Sequence, residues 1–249
     1  MVDLSKLTSL QNITLAGIGS TLEVFLQHPL SVVKNSKQYN VPIKMNLRFL
    51  YRGVFLSAGS ASLITAVQFA SYAKYHQFFN NHLSHKYNLA VSSLLGGVTI
   101  SFFVTPFEMG VIQKCKHSGL STSQIIKNNI GSIGHKFIYR GLLNTCVRDS
   151  MYVFGFLGLT PFIESKMNTG IKTVDSIVAS TTSGIFSSVL SHPFDTFKTN
   201  QQYHMCNKIN YKELFTIKKM FSGCFFRTAR NCSCFFILNE SNKFFINYI

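Results

Sequence analysis

Apolar residues run along this chain in long stretches, and the charges gather between them. Gly53 to Ala73 and Tyr87 to Phe107 are both 21-residue stretches without Asp, Glu, Lys or Arg. At about 1.5 Å of rise per residue, each is long enough as a helix to cross the roughly 30 Å hydrocarbon core of a bilayer. Ser176 to Phe194 is nearly as long, and between Leu7 and Val33 the only charge is Glu23. Ser150 to Ile163 is a shorter uncharged run, and the segment after Arg230 is weaker still. A span is expected there mainly because the chain repeats.

The repeat has two landmarks. Gln27-His28-Pro29-Leu30-Ser31, Val104-Thr105-Pro106-Phe107-Glu108 and Ser191-His192-Pro193-Phe194-Asp195 align, each proline nine residues after a small residue, Ser20, Gly97 and Gly184 respectively. Tyr51-Arg52-Gly53, Tyr139-Arg140-Gly141 and Phe221-Ser222-Gly223 then follow in the same order, and an apolar run begins after each glycine. A single proline is explained by a helix kink and a single glycine by close helix packing. Neither explains three copies at similar offsets, which predict a unit of apolar helix, proline kink, basic loop, aromatic-x-Gly and apolar helix, used three times. The expected fold is an all-α membrane protein of six transmembrane helices in one domain over 1–249, with repeats at about 8–83, 87–168 and 173–249.

Charge placement sets the expected topology. The formal net charge is +15, from 24 Lys+Arg against 9 Asp+Glu, yet charged residues make up only 13% of the chain and hydrophobic ones 46%. A basic protein that binds nucleic acid would intersperse its charges through the apolar segments, so a nucleic acid polymer is not the expected partner. Instead, residues 34–52 and 114–140 each carry five Lys/Arg and no acid, and residues 198–219 carry five Lys and one Glu. These first, third and fifth connections belong on one side of the membrane and both termini on the other.

Other chemistry is weakly signalled. Cys115, Cys146, Cys206, Cys224, Cys232 and Cys234 form no CxxC pair, so reduced thiols are expected and no metal or cofactor is called for. His76, His82 and His85 read as solvated boundary histidines. Gly17-Ile18-Gly19 lies inside a span, where helix packing explains it better than phosphate binding. Asp3 and Lys6 ahead of a long apolar run do not make a signal peptide's basic start, so the N-terminal segment is expected to remain as the first span. No catalytic arrangement stands out, and an enzyme is not expected.

Pro193-Phe194-Asp195-Thr196-Phe197-Lys198 resembles the signature of the mitochondrial carrier family: proline, any residue, acid, two residues, base. The resemblance covers essentially the whole chain. It implies three pseudosymmetric two-helix repeats around a central cavity, and a monomer that moves a small metabolite across the mitochondrial inner membrane by alternating access. Both termini would face the intermembrane space, with the lipid bilayer as surroundings and anionic lipids at the matrix-side helix ends.

It also implies a matrix gate of acid–base pairs three residues apart, in which Pro29, Pro106 and Pro193 act as the helix kinks. This chain departs from the pattern at Ser31, where an acid belongs, and at Val111, where a base belongs. Those two losses fall in one pair of the family's scheme, leaving Asp195 to meet Lys34 and Glu108 to meet Lys198. Chance decay would often strand a buried charge, at a cost of about 3–5 kcal/mol. Gln38 and Gln202, nine residues past their prolines, match the glutamines that brace such bridges in the family, whereas Cys115 in the second copy does not. The cytoplasmic gate looks thinner: Ala73 and His76 replace one pair, Glu164 and Lys166 are poorly spaced, and only Glu240 with Lys243 approximates the pattern. Closure there is expected to rest largely on packing, or to be weak.

The family's substrate contacts lie seven and eight residues beyond the aromatic-x-Gly glycine, here Ser60 and Ala61, Arg148 and Asp149, and Arg230 and Asn231. Arg227 lies one turn before Arg230. Intramembrane charges usually face a wet path, so Arg148, Asp149, Arg230 and the first-span Glu23 are candidates on physical grounds too. The bland reading is a salt bridge that only holds the bundle, with Glu23 as counter-charge to Arg227 or Arg230. An Arg–Asp pair suits a zwitterionic, amino-acid-like ligand, which is the leaning. Three arginines also suit phosphates, so a nucleotide or deoxynucleotide is the alternative. A degenerate carrier acting as a channel or structural membrane protein is the third reading.

Overall fold

The computed structural model describes residues 9–38, 46–51, 54–116, 138–203, 220–221 and 223–246, and positions 124, 127, 130, 131 and 134. Of the side chains at 30–38 and 110–116, nothing is described. Expectations for Ser31, Lys34, Gln38, Val111 and Cys115 therefore lie outside the described residues.

The described residues are helical and contain no strand. In chain order the helices are α1 (Ser9–Gln38), α2 (Leu47–Leu50), α3 (Val54–Phe79), α4 (His85–Lys116), α5 (Leu142–Val153), α6 (Thr160–Lys166), α7 (Lys172–Tyr203) and α8 (Cys224–Ile246). One π-helical turn, Phe154–Leu159, joins α5 to α6 without a break, so the short uncharged run around Ser150 becomes the middle of one long helical unit. Pro29, Pro106 and Pro193 each lie inside a helix that continues past them.

The two described aromatic-x-Gly glycines have a backbone role. Gly141 caps α5 at φ 83° and Gly223 precedes α8 at φ 82°. Glycine enters this left-handed region without strain, and it lets the chain turn sharply into the helix that follows. Close helix packing, the simple explanation for these glycines, belongs to others. A Cβ on Gly97 would lie 2.3 Å from the Ser150 Cα, and one on Gly184 would lie 2.8 Å from the Cys232 Cα. In the first third of the chain, Ser20 Oγ meets Ser62 Oγ at 3.2 Å. All three contacts join the residue nine before a proline to the residue nine after an aromatic-x-Gly glycine.

The long helices form a closed ring. α1 packs on α3, α3 on α4, α4 on α5, α5 on α7 and α7 on α8, and α8 returns to α1. The polarity of this ring is inverted relative to a soluble bundle. On α7 the hydroxyl residues Ser176, Ser180, Ser183, Ser187, Ser188 and Ser191 are buried, while Ile177, Val178, Ile185, Phe186, Val189 and Leu190 are exposed. Such a helix hides its hydroxyls between neighbours, where they can bond to backbone, and turns its hydrocarbon outward, as a lipid solvent favours. By length and composition alone, one helix among the described residues, His85–Met109, is apolar enough to cross a membrane. α7, with its polar inner face, does not reach that hydropathy.

Inside the ring, Phe69 of α3, Phe156 of the π turn and Phe235 of α8 are buried against one another. Their ring centroids lie 5.9 Å apart for Phe69–Phe156 and 5.4 Å for Phe156–Phe235. Tyr152 adds an edge contact to Phe235 at 5.1 Å. Gly155 lets the π turn come close, since a Cβ there would sit 2.6 Å from the Ser187 Cβ.

Candidate functional site

Four helices bring charges together on the proline side of the aromatic cluster. α4 supplies Glu108, two residues after Pro106; α5 supplies Arg148 and Asp149; α7 supplies Asp195 and Lys198; α8 supplies Arg227. The sequence predicts a gate and a separate substrate site from these residues. The structure joins them into one network.

Arg148 lies at its centre. Its Nη1 and Nη2 donate to the two carboxylate oxygens of Glu108 at 2.9 and 3.0 Å, a bidentate pair. Nε donates to Asp149 Oδ1 at 2.7 Å, and Nη1 also reaches Asp195 Oδ1 at 3.3 Å. The other Asp195 oxygen is 2.8 Å from Arg227 Nη1, so one carboxylate joins two guanidiniums. Arg227 Nη2 donates to Ser191 Oγ at 2.9 Å. Lys198, almost fully buried at 2% side-chain exposure, contacts Glu108. Among the described side chains, Arg148, Arg227 and Lys198 thus stand against Glu108, Asp149 and Asp195, and opposite charges placed in contact lower the cost of burying them.

The Glu108–Lys198 bridge stands as expected. The described partners of Asp195 are Arg227 and Arg148; Lys34, its expected partner, lies outside the described side chains. The family's pairing scheme aligns the gate groups with one another and takes no account of arginines elsewhere, so these two contacts were not expected. Gln202 donates to the Arg140 carbonyl at 3.2 Å, tying α7 to the turn before Gly141.

The remaining candidates sit apart from the network. Glu23 is buried and lies 4.0 Å from Arg230 Nη2, whose side chain is 56% exposed. Of its two candidate counter-charges, then, Glu23 faces Arg230. With the Gln27 amide oriented to satisfy both ends, its nitrogen donates to Glu23 Oε1 at 3.1 Å and its oxygen accepts from Ser233 Oγ at 3.0 Å. Ser60 is exposed, and its hydroxyl returns to the Ser57 carbonyl at 3.0 Å within its own helix.

At the opposite end of the helices, Lys243 meets Glu240 at 2.9 Å and also contacts Glu164. Asn239 donates to Glu164 Oε2 at 3.2 Å and to Ser176 Oγ at 2.9 Å. Glu164, poorly spaced against Lys166 in sequence, finds its base on α8.

Two polar partners escaped the sequence reading. Ser101 donates to Asp149 Oδ2 at 3.1 Å, and Asn231 donates to Ser188 Oγ at 2.9 Å. Both serines stand five residues before a proline and both partners eight after a glycine, so the repeat offsets held the signal.

No protein-family profile matches the chain. Three curated proteins do. It is 25% identical over 218 residues to the mitochondrial 2-oxodicarboxylate carrier 2 of Saccharomyces cerevisiae, covering 80% of this chain and 71% of that protein. It is 25% identical over 216 residues to a probable mitochondrial 2-oxodicarboxylate carrier of Dictyostelium discoideum, covering 77% and 72%. A probable carrier of the same name from Schizosaccharomyces pombe is 26% identical over 209 residues, covering 72% and 70%. The proline signature and these matches, which extend over about three quarters of the sequence, agree: the chain is a divergent relative of the mitochondrial carriers and not an enzyme.

Proposed function

We propose that this chain carries a small dicarboxylate, of the 2-oxodicarboxylate class that names its relatives, across the mitochondrial inner membrane by alternating access. It does so as a monomer of six spans in three repeats, with both termini in the intermembrane space. The observation that carries the reading is the chemistry of Arg148 and Arg227: two largely buried guanidiniums whose charged partners are all carboxylates. Planar guanidinium forks match carboxylates bidentately, and intramembrane arginines mark substrate paths. The equivalent contacts at Ser20–Ser62, Gly97–Ser150 and Gly184–Cys232 support the threefold arrangement, and the outward apolar face of α7 supports a lipid setting.

An amino-acid-like ligand is less well supported than the Arg148–Asp149 pair suggests from sequence. Asp149 already accepts from Arg148 through one oxygen and from Ser101 through the other. The names of the relatives do not favour a nucleotide. A simple pore is opposed by the charge network at one end of the ring and the aromatic cluster beyond it.

Uptake into liposomes, with a panel of dicarboxylates, amino acids and nucleotides inside and out, tests the reading. Saturable counter-exchange of a 2-oxodicarboxylate is expected. Unsaturable flux would make the protein a pore, and exchange confined to amino acids or nucleotides would overturn the substrate class.

A further inference from the structure

We infer that Glu23 takes up a proton when an anionic substrate pairs with Arg230, so that each anion crosses the membrane together with one proton. The inference rests on the dicarboxylate reading above and adds the proton to it. Glu23 is the lone charge between Leu7 and Val33, and its side chain is only 7% exposed. Arg230 of α8 stands 4.0 Å away, at the outer limit of an ion pair, and its own side chain is 56% exposed. The guanidinium is thus the accessible half of the pair and the carboxylate the enclosed half. The charge cluster at the proline end differs, since each of its acids has an arginine nitrogen within 2.9 Å.

Among the described residues, the other groups that face Glu23 are uncharged. Gln27, one turn further along α1, donates to Glu23 Oε1 at 3.1 Å and is fixed in turn by accepting from Ser233 Oγ at 3.0 Å and the Cys234 backbone nitrogen at 2.9 Å. The Cys234 thiol hydrogen-bonds Glu23 and lies 3.1 Å from the Tyr152 hydroxyl of α5. α3 also packs on α1, but its titratable side chains Lys74, Tyr75 and His76 lie beyond Ser62, away from the level of Glu23, and Tyr72 lies there too. Lys34 and the α2 residue Arg48 fall outside the described side chains.

A substrate carboxylate that pairs with Arg230 removes the one described counter-charge of Glu23. An enclosed carboxylate without its cation is far costlier than a carboxylic acid, so it is neutralised from the side the substrate enters. In this step the Glu23 carboxylate and one proton become the acid; Arg230 keeps its own protons and no other bond changes. The acid is already accommodated, because the Gln27 amide still donates to its carbonyl oxygen and the Cys234 sulfur is placed to accept from its O–H. Release on the other side reverses the step: Arg230 returns to Glu23, and the proton leaves with the anion. Acids within membrane spans serve as proton relays in this way.

Isothermal titration calorimetry of the purified full chain in detergent, with 2-oxoglutarate in buffers of different ionisation enthalpy, counts the protons taken up on binding. Wild type should take up about one per anion, and Glu23→Gln, which keeps the shape and removes the titrating group, should bind with none. Binding by wild type without proton uptake, or undiminished uptake in Glu23→Gln, would overturn the inference and leave the dicarboxylate reading intact. If an amino acid or a nucleotide binds wild type and 2-oxoglutarate does not, the dicarboxylate reading fails and this inference with it. Wild type alone decides the matter should Glu23→Gln not fold. Its half-saturating 2-oxoglutarate concentration should rise about tenfold per pH unit between about pH 6 and 8, the slope of one linked proton. A concentration that stays flat across that range would refute the coupling.

Discussion

Arg148 grips Glu108 through both terminal nitrogens, at 2.9 and 3.0 Å, and in doing so fastens α5 to α4 at the end where Pro106 lies. This pairing joins a residue placed by the aromatic-x-Gly landmark to one placed by the proline landmark. The arginine therefore links a residue proposed for the gate to the residues proposed as ligand contacts.

Replacing Arg148 tests both roles. Arg148→Ala leaves Glu108, Asp149 and Asp195 short of a cation and should cost about 3–5 kcal/mol of stability, with loss of transport. Arg148→Lys keeps the charge and loses the fork, so stability should recover in part while exchange does not. A lysine variant that exchanges substrate at the wild-type rate would argue that the fork is unimportant. Thermal unfolding in detergent and liposome exchange provide the two readouts.

Gly97→Ala should destabilise the bundle by about 1–3 kcal/mol, as overpacking does, because its Cβ would meet the Ser150 backbone. Gly17→Ala is the control, having no neighbour within 4 Å of the added carbon. Equal thermal stability of the two variants would contradict the close approach of α4 and α5.

Phe156 sits between Phe69 and Phe235, and truncation to Ala should open a hole in the aromatic cluster at a cost of about 3–5 kcal/mol. If this cluster supplies the closure that Glu164, Glu240 and Lys243 supply only in part, the variant will leak. The expected result is an unsaturable component of anion flux in liposomes, absent from wild type. A variant that exchanges more slowly without leaking would leave Phe156 a packing residue alone.

Asp195→Ala should impair exchange far more than Ser31→Ala, since Asp195 holds Arg148 and Arg227 whereas Ser31 carries no charge to lose. Restoring the absent pair with Ser31→Glu and Val111→Arg together should be tolerated better than either change alone, because each single change strands a charge. Strictly additive damage in that double-mutant cycle would show that the two positions do not face each other.

The sequence alone determined where two of the long helices begin and where helices touch. Gly141 and Gly223 stand where a positive φ is needed, and Ser20, Gly97 and Gly184 are small where another helix crosses. Such features are legible in the sequence because each depends on backbone geometry, which a small side chain or none permits. Glu108–Lys198 was expected from the resemblance, whose scheme sets the acid on one proline-containing helix against the base on the facing surface of the next. What spacing does not encode is which side chain from another helix reaches that face. The hold of Arg148 on Glu108, Asp149 and Asp195, the pairing of Arg227 with Asp195, and the meeting of Glu164 with Lys243 were decided by the tertiary structure. Long cationic side chains choose among several carboxylates within reach, and helix rotation, the π turn at Phe154–Leu159 and exclusion of water settle the choice.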